Sequence, residues 1–181
     1  MTLPKFKYHP DPIATGSIVP SDETCSCCVE ARGYVYDGPT YGEDEFDGFL
    51  CPWCIADGSA HEEYEIAFTD EEGIGGYGEW DEVSEKVVDT IAYRTPGFHA
   101  WQQEQWWTHC GDGAAFLGRM GRAELESLGP DAVAAIRAST GLADGSEWER
   151  FFNALARDGS PSAYLFRCTR CKALGGYTDT D

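Results

Sequence analysis

The chain has 181 residues, 42% of them hydrophobic, and its 32 acidic residues against 13 basic ones give a formal net charge of −19. That length suits one domain or two small packed ones. No apolar run approaches the roughly 20 residues of a membrane span, and the N-terminus lacks the apolar core of a signal peptide, so a cytoplasmic protein with reduced thiols is expected.

Residues 1–24 contain Pro4, Pro10, Pro12 and Pro20 and are expected to run extended over the surface. A first C-x-x-C pair, Cys25 and Cys28, then makes a knuckle, with Cys27 inside it. Arg32 to Tyr36 reads as a short strand, Asp37-Gly38-Pro39 as a turn, and Tyr41 as the start of a return toward Phe46, Phe49 and Leu50. Cys51-Pro52-Trp53-Cys54 opens a helical turn and carries the second pair. Asp81 is placed to cap a helix whose apolar face is Val83, Val87, Val88 and Ile91, ended by Arg94-Thr95-Pro96-Gly97. Phe98, Trp101, Trp106 and Trp107 form an expected aromatic core before His109-Cys110.

From Gly111 to Arg157 the pattern is mostly helical: a short segment at Ala114 to Leu117, another at Ala123 to Leu128, and a helix led by Pro130. A further helix has capping-box spacing at Ser146. Ala163 to Phe166 reads as a strand delivering the third pair, Cys168 and Cys171. The expected fold class is α+β. Residues 1–70 would form the arm and a treble-clef or ribbon-like zinc module, and residues 71–181 a helical region closed by a second zinc knuckle.

A C-x-x-C turn converges two thiolates on one small volume, as a tetrahedral zinc ion requires. The first two pairs read C-x2-C-x22-C-x2-C, the spacing of a closed four-thiolate centre of Cys25, Cys28, Cys51 and Cys54. Such a zinc stabilises and does not catalyse, and it would offset the thin apolar content around it. A second centre takes Cys110, Cys168 and Cys171, with His109 as fourth ligand; His99 or a water are the alternatives, and a water would leave the site open. Two zinc ions per chain are expected.

Cys51-Pro52-Trp53-Cys54 also resembles the dithiol of thioredoxin-like oxidoreductases, but the acidic, glycine-rich stretch before it is no buried βαβ strand. His61-Glu62-Glu63 follows the C-x-x-C pair where a zinc deaminase would need it to precede, so that class is excluded. No phosphate loop, nucleophile elbow or H-E-x-x-H helix is present.

The charge is uneven. Tyr34 to Tyr93 holds 17 Asp/Glu and one base, Lys86, for −16, while the rest of the chain carries −3. That field repels nucleic-acid phosphates and attracts cationic partners.

The run Leu3-Pro4-Lys5-Phe6-Lys7-Tyr8-His9-Pro10-Asp11-Pro12, the block Cys51-Pro52-Trp53-Cys54-Ile55-Ala56-Asp57-Gly58, Arg94-Thr95-Pro96-Gly97-Phe98, and Tyr164-Leu165-Phe166-Arg167-Cys168 together resemble the CbrC family of bacterial proteins. Lys172 departs from the glycine expected after the last cysteine. The resemblance implies a link to tolerance of a DNase colicin and, through relatives, to immunity proteins of toxin systems; it carries no catalytic residues.

The leading expectation is therefore a non-enzymatic two-zinc protein that binds and neutralises a basic partner, such as a nuclease toxin, without direct nucleic-acid or membrane binding. Its contact surface would be Glu43, Asp44, Glu45, Asp47, Asp70, Glu71 and Glu72. The competing expectations are a metalloenzyme with an open zinc at Cys110, Cys168 and Cys171 and Asp112 as base, or an indirect regulator of stress tolerance.

Overall fold

Ser162-Ala-Tyr-Leu-Phe-Arg-Cys alternates two apolar sets, and the computed structural model, which describes residues 2–181, makes it the centre of the molecule. This strand belongs to a four-stranded antiparallel sheet of β3 (Thr108–His109), β4 (Asp112–Met120), β5 (Ser162–Cys168) and β6 (Leu174–Asp179), in that order. Because strand side chains alternate faces, Tyr164 and Phe166 point into an aromatic core with Tyr8, Phe98, Trp106, Trp107, Phe116 and Tyr177. Ala163 and Leu165 point the other way, onto Leu125, Ile136, Trp148 and Leu155. The second core is roofed by α4 (Arg122–Leu128), α5 (Pro130–Thr140) and α6 (Ser146–Ala154). Gly175 leaves the room that the Trp107 ring fills; a Cβ there would collide with it.

The protein is a mixed α+β fold, but strand displaces helix at the start of its C-terminal part. Residues 112–120, expected to begin a mostly helical stretch, are β4 and pair with β5 from Ala114↔Cys168 to Met120↔Ala163. A short apolar run does not choose between helix and strand by itself; here the neighbouring strand supplies its backbone partners. Trp101 is also not core: its ring is exposed and lies under the Arg119 guanidinium. Ser146 is the first residue of α6 and no cap, since the helix starts from Gly145.

The N-terminal arm, expected to run extended over the surface, turns through residues 11–16 and is partly buried. Phe6, Tyr8, His9, Pro12, Ser17 and Ile18 are buried, and the Phe116 N–H donates to the Tyr8 carbonyl at 2.7 Å, so the arm continues the β4 edge. His9 is fully enclosed, with Nδ1 2.7 Å from the Pro96 carbonyl and Nε2 2.6 Å from Thr15 Oγ1. Burial pushes its pKa down to about 4, so the ring is neutral.

β1 (Ile18–Pro20) pairs antiparallel with β2 (Tyr34–Tyr36), so this ribbon straddles the first knuckle. The chain after Tyr36 comes back to the end of β2 at Leu50, whose carbonyl accepts from Tyr36 N–H at 2.8 Å, while Tyr41 bridges Ala67. Two short helices follow, α1 (Pro52–Asp57) and α2 (Ser59–Tyr64), then α3 (Glu85–Arg94). Among the described residues no helix is long and apolar enough to cross a membrane.

Candidate metal centres

Both outer C-x-x-C pairs fold into the same backbone turn. In the first, Cys25 N–H donates to the Glu30 carbonyl at 3.0 Å and Val29 N–H to the Cys25 carbonyl at 2.9 Å. In the last, Cys168 N–H donates to Ala173 at 2.8 Å and Lys172 N–H to Cys168 at 3.2 Å. Each turn needs a left-handed residue just after its second cysteine: Val29 has φ 57° and Lys172 φ 68°. The middle pair is built differently. Cys51 precedes α1, Pro52 occupies its first turn, and Cys54 lies one turn on.

These elements bring Cys25, Cys28, Cys51 and Cys54 together, with all four ligand atoms within 4.8 Å of one another. Cys25–Cys54 and Cys28–Cys51 sulfurs are 3.8 Å apart and Cys51–Cys54 3.6 Å. A tetrahedral ion with metal–sulfur bonds of about 2.3 Å has edges of about 3.8 Å, so the spacing fits a tetrahedral metal–thiolate centre. Cys27 is not one of the four, and its sulfur lies 3.4 Å from Ser59 Oγ.

His109, Cys110, Cys168 and Cys171 form a second group within the same 4.8 Å limit. His109 and Cys110, though adjacent, both reach it because they stand at a hairpin and not at a helix start. His109 pairs with Asp112, leaving Cys110 and Gly111 as a two-residue turn with φ of 58° and 65°. His109 Nδ1 is 3.3 Å from Cys110 Sγ and 3.5 Å from Cys171 Sγ, close to the roughly 3.6 Å edge of a mixed nitrogen–sulfur tetrahedron. The imidazole is oriented by stacking on Trp107, centroids 5.0 Å apart. His99, the alternative ligand, is exposed and outside the group.

Asp81 does not cap α3, which starts from Ser84. Its Oδ2 accepts from Gly111 N–H at 3.2 Å and its carbonyl from Thr108 Oγ1 at 2.6 Å, so it braces the ligand-bearing hairpin. Asp112 ties that hairpin to both chain ends. It accepts from Lys7 Nζ at 2.8 Å, Tyr8 Oη at 2.7 Å and Thr169 Oγ1, inside the last knuckle, at 2.7 Å. Burial alone would raise its pKa, but these bonds more than offset it and hold the carboxyl at about 2.

Burial tends to raise the thiols, yet Cys25 and Cys168 move the other way. Cys25 falls to about 7 despite burial, because N–H groups of Cys28, Cys51 and Cys27 point at it. Cys168 falls to about 6 likewise, through Cys171 N–H and the His109 side chain. Their neighbours rise: Cys51 to about 11 by burial, and Cys110 to about 11 beside Cys171. Thiolates this close resist joint ionisation unless a cation sits among them, and both donor sets suit a thiophilic divalent ion.

The predicted contact carboxylates divide into two kinds. Glu43, Asp44, Glu45 and Asp47 are exposed, and none forms an ion pair among the described residues. Asp70 accepts from Glu72 N–H and Gln103 Nε2, and Glu71 from Tyr93 Oη, so these two brace their own loop, while Glu72 is exposed. A cavity of about 690 Å³ opens between Ala14–Ser17, β4 and α4, and no residue of either cysteine group lines it.

Sequence reasoning passed over Glu104, a buried carboxyl beneath the acidic loop. Phe98 N–H donates to its Oε2 at 3.2 Å, and neither its Oε1 nor Thr69 Oγ1 has a hydrogen-bond partner among the described residues. A single acid inside the aromatic run Trp101 to Trp107 was the available signal.

The profile of UPF0167, an uncharacterised protein family, matches residues 3–180. UPF0167 proteins of Mycobacterium bovis and Mycobacterium tuberculosis are each 45% identical over 182 aligned positions, covering 98% of this chain and 93% of theirs. One from Pseudomonas aeruginosa is 44% identical over 170 positions, covering 93% and 92%. No solved structure matches. The chain belongs to the UPF0167 family. This corrects the expected membership of the CbrC family, a name carried by neither the profile nor these relatives, and with it the inferred link to colicin tolerance loses its footing.

Proposed function

We propose that this member of UPF0167 is a non-enzymatic, zinc-organised binding protein whose acidic face takes a basic protein partner. The observation that carries the reading is the segregation of charge: −16 lies between Tyr34 and Tyr93, and its exposed 43–47 loop has no internal ion pairs among the described residues. Carboxylates with no structural employment are free to desolvate against a cationic surface and to steer its approach. Zinc is the ion proposed for both centres, since four-thiolate and three-thiolate, one-imidazole sets at tetrahedral spacing are its structural donor sets. The treble-clef comparison belongs to the same proposal, as knuckle and helix each supply two ligands of the first centre.

A catalytic zinc is less well supported. His109 stands at the fourth corner of the second centre, and Asp112, the nearest base, already accepts from Lys7, Tyr8 and Thr169. A basic nuclease domain remains one partner of suitable chemistry, now on charge alone. The test is calorimetric titration of the zinc-loaded protein with a basic DNase domain at low and moderate salt. Affinity should fall more than about tenfold across that range, as exposed charges separated by about a Debye length are screened. Unchanged affinity after amidating Glu43, Asp44, Glu45, Asp47, Asp70, Glu71 and Glu72 overturns the proposal.

A further inference from the structure

Val29 occupies a position that folding does not explain. It is β-branched, its φ of 57° lies in the left-handed region where such residues are outliers, and the residue is 76% exposed. Glycine would close the knuckle at lower cost. The other knuckle tolerates Lys172 at the same place, but that side chain returns a hydrogen bond to the Thr169 carbonyl at 2.7 Å. Beyond the backbone bond from its N–H to Cys25, the Val29 side chain belongs to none of the core clusters, and strain held at an exposed apolar residue points outward.

A second exposed hydrophobe is tied to the same knuckle through Ser26. Phe49, 44% exposed, donates its N–H to Ser26 Oγ at 3.3 Å, and its carbonyl accepts from Ser26 N–H at 2.7 Å. The adjoining charge is acidic: Asp47, two residues before Phe49, continues the unpaired carboxylates of Glu43, Asp44 and Glu45. The nearby base Arg32 is already engaged by Glu30 at 2.7 Å and lies over the Trp53 ring.

We propose that the tip of the first knuckle, Val29 with Phe49, is the apolar anchor of the docking surface. Its occupant is a cationic amphipathic segment of a partner protein, whose hydrophobic side chains seat on the anchor while its Lys or Arg residues face the 43–47 loop. This rests on the acidic-face reading above and deepens it. Interfaces concentrate their affinity in a few buried apolar anchors ringed by polar groups, and a surface of acid alone would bind polycations without discrimination.

The test uses the zinc-loaded full chain and two synthetic peptides of equal positive charge, one alternating leucine with lysine, the other with serine in place of leucine. The native protein should prefer the leucine peptide by about tenfold or more, the size of one anchor contact. V29G and F49S should each abolish that preference. V29G should also melt about 2 °C higher, because it relieves the left-handed strain; a lower melting temperature would remove the strain argument. Undiminished preference in V29G and F49S overturns the anchor, while salt-sensitive binding of both peptides would leave the acidic-face reading standing. If neither peptide binds the native protein, both readings fall. Sedimentation of the native chain as a dimer that V29G or F49S dissolves would make the patch a self-interface and overturn the proposal.

Discussion

Replacing Glu104 by glutamine should stabilise the protein, and by an amount that grows with pH. The carboxyl is 1% exposed; burial first, with Asp70 adding repulsion, pushes its pKa from an ordinary 4.5 to about 8, although Phe98 N–H pulls the other way. A carboxyl whose folded value lies above its unfolded one keeps its proton in the fold. Its contribution is complete below pH 4.5 and is lost as pH rises to about 8. At about 1.4 kcal/mol per pH unit, that interval sets a ceiling of about 5 kcal/mol. Glutamine keeps the shape and the acceptor for Phe98 N–H and cannot ionise. The assay is urea unfolding of wild type and E104Q at pH 5, 6, 7 and 8, with zinc and reductant present. His9 and both cysteine groups titrate alike in the two proteins, so the difference isolates Glu104. The stability difference in favour of E104Q should widen by a few kcal/mol from pH 5 to 8; a constant difference would refute the reasoning.

Metal removal should be sequential. Cys110 and Cys171 are exposed, whereas Cys25, Cys51 and Cys54 are buried, so a chromogenic chelator should take one equivalent of zinc rapidly and the second only as the fold opens; two equal rates would contradict this. D112N should lower stability by about 2 kcal/mol, since charge-assisted bonds to Lys7, Tyr8 and Thr169 weaken together. The wild-type contribution is present above the ordinary carboxylate value of 3.8 and lost as pH falls through about 2. Protease digestion should then cut the N-terminal arm faster in D112N, and an unchanged cleavage rate would deny Asp112 its tethering role.

The three C-x-x-C pairs, the strand at Ala163 to Phe166 and the helix led by Pro130 are legible in the sequence because their causes are local. A knuckle closes over six residues, β-branched and aromatic runs favour extension, and proline pre-sets a first helical turn. The charge segregation is legible too, as it is a property of composition along the chain.

What only the tertiary structure decides depends on partners distant in sequence. Residues 112–120 become a strand because β5, more than 40 residues on, supplies their hydrogen bonds, and strand preference follows such context more than helix preference does. The arm is buried because the β4 edge accepts it at Phe116. Asp81 braces the ligand hairpin from outside it, and Asp112 within it finds Lys7, Tyr8 and Thr169 only on folding. Composition and spacing determine which groups could hold a metal and where charge lies. Packing determines how each is aimed, because a side chain's direction is set by the backbone it meets across the fold and not by its neighbours in the chain.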